Sequence, residues 1–216
     1  MLQLDKISLS NKDKHLNNIT VNFMAGKFYA VIGKRESGKD ALFSLLAGLD
    51  TPSEGIICFK NTDMATLNRD DYRAMAVGMI FPTFNLIANA TVMDNIQLTL
   101  KISGYPYHET AVYGLLNRVG ISADQAHKKV SKLTAQQKQC VSIARAVAHN
   151  PDVILADEPT ENLDAHESLQ VLELLRSLAE EGRVVIVMTH TRTVARYCHE
   201  LWGMNNGHLT FIKENN

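Results

Sequence analysis

Phe28-Tyr-Ala-Val-Ile-Gly33 is a continuous apolar run closed by glycine, and Gly38-Lys39 follows just ahead of a helical pattern running from Ala41 to Leu49. A run of that kind reads as a buried strand, so the chain is committed here to strand, tight loop and helix in immediate succession. The loop Gly33-Lys34-Arg35-Glu36-Ser37-Gly38-Lys39-Asp40 has the spacing G-x-x-x-x-G-K of a phosphate-cradling loop and departs from it only at Asp40, where Ser or Thr is expected. Backbone N–H groups of such a loop point inward, and the helix N-terminus adds a partial positive charge. Gly33 to Ala41 is therefore the candidate phosphate site, with Lys39 reaching the β- and γ-phosphates. A glycine-bounded turn before a helix is the plain alternative.

Leu2 to Leu9 and Asn18 to Met24 alternate polar and apolar residues, which predicts half-buried antiparallel strands separated by the polar stretch Ser10 to Lys14. Val77 to Phe81, Val153 to Ala156 and Val184 to Met188 are apolar on both faces, as parallel strands covered by helices are. After Asp164 a helix is expected with Val171, Leu174, Leu175 and Leu178 on one stripe and Gly182 just past its end. From Ala90 to Asn150 only helical periodicity appears. The expected organisation is one domain over residues 1–216. It has an α/β core at 1–89 and 151–216, opened by a small antiparallel sheet, and an inserted helical lobe at 90–150.

Composition narrows the functional classes. With 216 residues, 45% of them hydrophobic, the chain can build a sizeable core, and a formal net charge of -1 offers no basic groove for nucleic acid and no polybasic membrane patch. Cys58, Cys140 and Cys198 are far apart with no C-x-x-C spacing, so neither a disulfide framework nor a zinc site is indicated. The strongest apolar runs are strand-sized, and none is long enough to span a bilayer.

Two further strand ends carry chemistry. Val153-Ile-Leu-Ala-Asp157-Glu158 ends in two carboxylates, which suits Asp157 near a metal ion and Glu158 beside a water to be polarised. His190 follows the strand Val184 to Met188, where it can contact a γ-phosphate. Each alone is equally a solvated strand end. Together with the Gly33 loop they converge on one edge of a sheet.

With these comes Leu133-Thr134-Ala135-Gln136-Gln137 and the helical run to Ala146, which resembles the LSGGQ signature of the ABC-transporter ATPases. Asp157-Glu-Pro-Thr-Glu-Asn-Leu-Asp164 resembles that family's Walker B and D-loop run, and Thr189-His190 its switch histidine. The resemblance extends from about Leu2 to Leu209. The run Ala156 to Asp164, with Val77 to Phe81 and Phe84 to Ile87, is most similar to the branch serving lipoprotein release, macrolide export and antimicrobial-peptide resistance. It implies a P-loop NTPase (RecA-like) core with a small antiparallel β subdomain and an inserted α-helical subdomain. It also implies ATP and Mg²⁺ as ligands. Glu158 and His190 would be catalytic, Asp40 and Asp157 would face the metal, and Asp164 and Leu133 to Gln137 would contact nucleotide. The implied partners are an integral-membrane subunit and a second ATP-binding chain, the same or different, at the cytoplasmic face of the plasma membrane.

Several residues depart from the family pattern. Asp40 places a carboxylate where a hydroxyl meets Mg²⁺. A second anion ~4 Å from phosphate costs on the order of 4 kcal/mol at an effective dielectric of about 20, before the metal compensates. Weaker and steeply Mg²⁺-dependent nucleotide binding is expected. Arg35 and Glu36 replace small loop residues, and a left-handed non-glycine residue costs roughly 1–2 kcal/mol. Pro82 stands for the Q-loop glutamine, and Ala135 and Gln136 for the signature glycines. No Phe, Tyr or Trp lies between Ser10 and Leu16, where the family stacks adenine. Lys39, Asp157, Glu158, Asp164 and His190 keep the expected identities. An ATPase working as a head-to-tail dimer is the leading expectation, and a regulatory pseudo-ATPase that docks a membrane protein is the other. In a homodimer both composite sites carry both defective motifs, whereas a normal partner chain leaves one defect in each.

Overall fold

The structure is a computed structural model that describes residues 1–10 and 15–215. In chain order its elements are β1 (Leu2–Ser10), β2 (His15–Phe23), β3 (Phe28–Ile32), α1 (Lys39–Leu46), β4 (Glu54–Phe59), β5 (Thr62–Asp63), α2 (Arg69–Met75) and β6 (Val77–Ile80). There follow α3 (Val92–Ser103), α4 (Glu109–Arg118), α5 (Ala123–Ala126), α6 (Ala135–Val147), β7 (Val153–Asp157), α7 (Ala165–Glu180), β8 (Val184–Thr189), β9 (Glu200–Asn205) and β10 (His208–Glu214). Two short 3₁₀ turns, Val130–Lys132 and Arg192–Arg196, complete the path.

The strands form two sheets. One has the order β2-β1-β4-β5 and is antiparallel, and the other has the order β10-β9-β3-β8-β7-β6. Within the second, β3, β8, β7, β6 and β9 pair in parallel, while β10 returns antiparallel to β9. The alternation of strand side chains explains why the central runs are apolar throughout. Tyr29, Val31, Val153, Leu155, Val184 and Ile186 enter one core with α1 and the antiparallel sheet. Their neighbours Phe28, Ala30, Ile154, Ala156, Val185 and Val187 enter a second core with α7.

Residues 92–147 contain no named strand, and α3 to α6 close over a third core built on Val92, Ile96, Leu100, Leu116, Ile121 and Val141. This block is fastened to the sheet through α6. A Cβ at Gly78 of β6 would overlap the Ala146 carbonyl oxygen, so the helix lies directly on strand backbone. Where β2 was expected from Asn18, it begins at His15, because the hairpin register continues to the pair Ser10–His15. The elements β4, β5, α2, β9 and β10 were not anticipated. β4 reads Glu54-Gly-Ile-Ile-Cys-Phe and has too little alternation to signal a strand, and β10 is almost wholly exposed.

Candidate functional site

The Gly33 loop connects β3 to α1 as the sequence predicts. Gly38 has φ 109 at the helix entry, and a Cβ there would sit 3.1 Å from the His15 carbonyl oxygen, so the loop is wrapped too tightly for a side chain. Glu36 takes φ 63, the left-handed conformation that a side chain resists. The Lys39 ammonium points into its own loop, donating to the carbonyl oxygens of Gly33 (2.6 Å) and Lys34 (2.8 Å). Asp40 is exposed in the first turn of α1, where its charge suits the helix dipole, and Ala41 is buried behind it. The buried Ser37 hydroxyl has no hydrogen-bond partner.

β7 and β8 are hydrogen-bonded neighbours, and their ends bring the next two candidates together. Glu158 has φ 43, and its amide donates to the Met188 carbonyl (2.8 Å). One carboxylate oxygen accepts from the Thr189 hydroxyl (2.7 Å). The other accepts from the His190 amide (2.9 Å) and from its ring Nδ1 (2.8 Å). That last bond requires a ring proton on Nδ1. Thr189 was missed as a separate contributor. Its only signal was its position one residue before His190.

Asp157, at the end of β7, has its carboxyl pushed up to about 6, first by burial and then by the negative charges of Asp40 and Glu158. Asp40 is therefore electrostatically coupled to Asp157. Among the described residues no group of three or more His, Cys, Asp or Glu side chains could hold a metal ion. This donor set fits an ion that takes one or two carboxylates and fills its remaining positions with phosphate oxygens and water, the habit of Mg²⁺. Arg35 of the Gly33 loop and Glu161, in the segment after Glu158, form an ion pair (2.9 Å) across the two loops. Asn162 donates to the Pro82 carbonyl (2.9 Å), tying the segment after Glu158 to the one after β6.

The signature residues sit elsewhere. Thr134 caps α6 by accepting from the Gln137 amide, while the Gln137 side chain accepts from the Thr134 amide (3.0 Å). Leu133 is buried, Ala135 is exposed, and Gln136 donates to Gln170 of α7 (2.9 Å). Among the described residues none of these five bonds to the Gly33 loop, Asp157, Glu158 or His190. Asp164 likewise caps α7, accepting from the Glu167 amide (2.8 Å). An open cavity of about 300 Å³ lies beside the loop, lined by Gly33, Lys34, His190 and Arg192 among others. A larger one of about 420 Å³, between α6 and α7, shares no lining residue with it. The stretch without Phe, Tyr or Trp, Ser10 to Leu16, includes residues 11–14, which lie outside the described residues.

With this geometry in place the comparisons are consistent with one another. The profile of the ABC transporter family matches residues 16–161. The Bacillus subtilis (strain 168) protein named uncharacterized ABC transporter ATP-binding protein YclH is 34% identical, over 100% of this chain and 97% of its own length. The macrolide export ATP-binding/permease protein MacB of Azoarcus (strain BH72) is 36% identical over 90% of this chain, which spans only 30% of that relative. Among solved structures, the dimeric bacterial ABC transporter cassette MJ0796 superposes with a TM-score of 0.87 at 28% identity, with full coverage of both chains. Its post-hydrolysis dimer bound to ADP and Pi gives 0.86 at 27%, again over both whole chains. The chain belongs to the ABC transporter family, as one of its ATP-binding ATPase cassettes.

Proposed function

We propose that this chain binds and hydrolyses ATP in a head-to-tail dimer and passes the resulting closure to an integral-membrane partner of export or peptide-resistance type. The observation that carries the reading is the Glu158 carboxylate, held by Thr189 and His190 at the end of the strand beside the Gly33 loop. A carboxylate fixed at both oxygens is positioned to orient a water for attack on the γ-phosphorus. The new P–O bond forms as the bond to the β-γ bridging oxygen breaks, ADP leaves, and the water's proton passes by way of Glu158 to solvent. Lys39 exchanges its two loop carbonyls for phosphate oxygens, and the loop amides hold the remaining charge. Asp157 and Asp40 would hold a Mg²⁺ ion, which when bound would supply neutralisation of the phosphate charge.

In this reading residues 1–89 and 151–216 form the nucleotide-binding core and 90–150 the signature lobe of one domain. Leu133 to Gln137 of each chain close the other's site, and the second ATP-binding chain is either a copy of this one or a different cassette. A regulatory pseudo-ATPase is favoured by one specific observation: the cations of the phosphate loop are already satisfied within the chain, Arg35 by Glu161 and Lys39 by the carbonyls of its own loop. Turnover of Mg-ATP by the purified chain, beside Glu158→Gln, decides between them. Hydrolysis abolished in the variant establishes the ATPase, and equal background in both establishes the regulatory module.

No helix among the described residues is long and apolar enough to cross a membrane. We place the chain at the cytoplasmic face of the membrane through its partner, which docks near Pro82 to Ile87. That segment is held rigid by Asn162 at one end and by Asn95 at the other, whose side chain bonds both the amide and the carbonyl of Ile87. A charge at the half-buried Phe84 is expected to abolish co-purification with the membrane subunit and to leave the isolated chain folded. Normal co-purification of the Phe84→Asp variant rejects the docking site.

A further inference from the structure

Arg35 and Glu161 face each other across the mouth of the site, and neither has a part in the hydrolysis described above. The Ser37 amide donates to the Lys34 carbonyl (3.3 Å), which makes Arg35 and Glu36 the central residues of a tight turn, the left-handed Glu36 being the second. Arg35 therefore stands at the tip of the phosphate loop. Opposite it, the Glu161 amide donates to the Glu158 carbonyl (3.1 Å), so Glu161 closes the turn that begins at Glu158. The guanidinium bridges the two turns at 2.9 Å, with its side chain 84% exposed and that of Glu161 31% exposed. A pair this open to water holds its geometry by no more than about fivefold, so a stronger anion can take the arginine from it. The surrounding charges make such an anion's reception depend on Arg35. Asp40, Glu158 and Glu161 all add to the negative field on Asp157, Lys39 opposes them, and the Lys39 ammonium is already engaged by two loop carbonyls. A nucleotide triphosphate brings further negative charge to this mouth, and a guanidinium at the loop tip is a mobile cation able to meet it.

We infer that Arg35 is a specificity residue for the terminal phosphate of ATP, with Glu161 as its counter-ion and competitor. In the nucleotide-free chain the guanidinium rests on Glu161. When ATP binds it exchanges that carboxylate for γ-phosphate oxygens, to which a guanidinium donates charge-assisted, forked hydrogen bonds stronger than an exposed ion pair. ADP offers no oxygen at that place, so Arg35 favours ATP over ADP and returns to Glu161 once the γ-phosphate has gone. The same charge offsets the one that Asp40 adds to the loop. The proposal rests on the reading that the Gly33 loop binds ATP, and it adds a recognition residue that the loop's glycine and lysine spacing does not contain.

The test titrates Mg-ATP and Mg-ADP calorimetrically into the full chain, with Glu158→Gln in every sample to keep ATP intact. Arg35→Ala is expected to weaken ATP binding about tenfold, the loss of one charge-assisted fork, and to leave ADP within about twofold. Removing Arg35 also uncovers the Glu161 charge, so the substitution is repeated together with Glu161→Gln, where repulsion from that carboxylate is gone. The selective loss of about tenfold should persist there. Glu161→Gln alone should tighten ATP binding by about threefold, within the strength of the pair it breaks. Phosphorus NMR of bound ATP should show the γ signal moved by Arg35→Ala and the α signal unmoved. No loss in Arg35→Ala, equal losses for ATP and ADP, a loss that vanishes beside Glu161→Gln, or weaker ATP binding by Glu161→Gln makes the pair a structural tie. Each of these overturns the inference while the reading that the loop binds ATP stands. Failure of the chain and of every variant to bind either nucleotide removes that reading as well.

Discussion

Glu158 and His190 are joined twice, because one carboxylate oxygen accepts both the backbone amide and the ring Nδ1 of the histidine, at 2.9 and 2.8 Å. The other oxygen takes the Thr189 hydroxyl at 2.7 Å. Three donors on one carboxylate fix its direction as well as its charge. Thr189→Val removes a single donor with little change of shape. It is expected to lower ATP turnover about tenfold, a loss typical of imperfect positioning, with Mg-ATP affinity unchanged. Steady-state turnover beside a nucleotide titration checks it, and an equal loss in both would assign Thr189 to binding.

Asp40 and Asp157 repel each other across the loop. Asp40→Ser removes one charge and keeps an oxygen ligand, so Mg-ATP should bind more tightly and depend less steeply on Mg²⁺. Calorimetric titration of both proteins at several Mg²⁺ concentrations measures this. Unchanged or weaker binding by the Ser variant would show that the surrounding loop is adapted to the carboxylate.

The raised pKa of Asp157 also makes stability depend on pH. The folded state holds this proton up to about pH 6 and the unfolded chain releases it near the ordinary value of 3.8. The folded state thus binds more protons in that window, and stability falls as pH rises through it. Asp157→Asn removes the titration. Its stability should exceed that of the unaltered chain at pH 7 by on the order of 2 kcal/mol, with the gap closing below about pH 4. Urea unfolding at several pH values is the measurement.

Gly78 touches the signature helix through bare backbone. In Gly78→Ala the new methyl meets the Ala146 carbonyl, so α6 must lift from β6, at a cost of about 1–3 kcal/mol for overpacking. Because α6 begins at the signature, nucleotide-driven dimerisation should weaken as well. Thermal unfolding and sedimentation with ATP, using the Glu158→Gln background to hold ATP intact, test the two effects separately.

Local pattern was enough for the strand, loop and helix around Gly33 to Lys39, for β6, β7 and β8, and for the helical character of 90–150. In each case the signal is periodicity over consecutive residues, which needs no knowledge of the rest of the chain. The candidates Asp157, Glu158 and His190 were legible because each follows an apolar run, and Lys39 because of the glycine spacing of the loop before it. β4 and β10 were not legible. β4 is stabilised between β5 and β1, the latter far back in the chain, and β10 is an exposed edge strand held by its pairing with β9 rather than by buried side chains. Tertiary structure alone set Thr189 and His190 on Glu158, Arg35 on Glu161, and Asn162 on Pro82. These relationships depend on which strand lies next to which and on the backbone turning left-handed at Glu158. A one-dimensional string carries the identity of each charge, but the distance between two charges exists only once the sheet has been assembled.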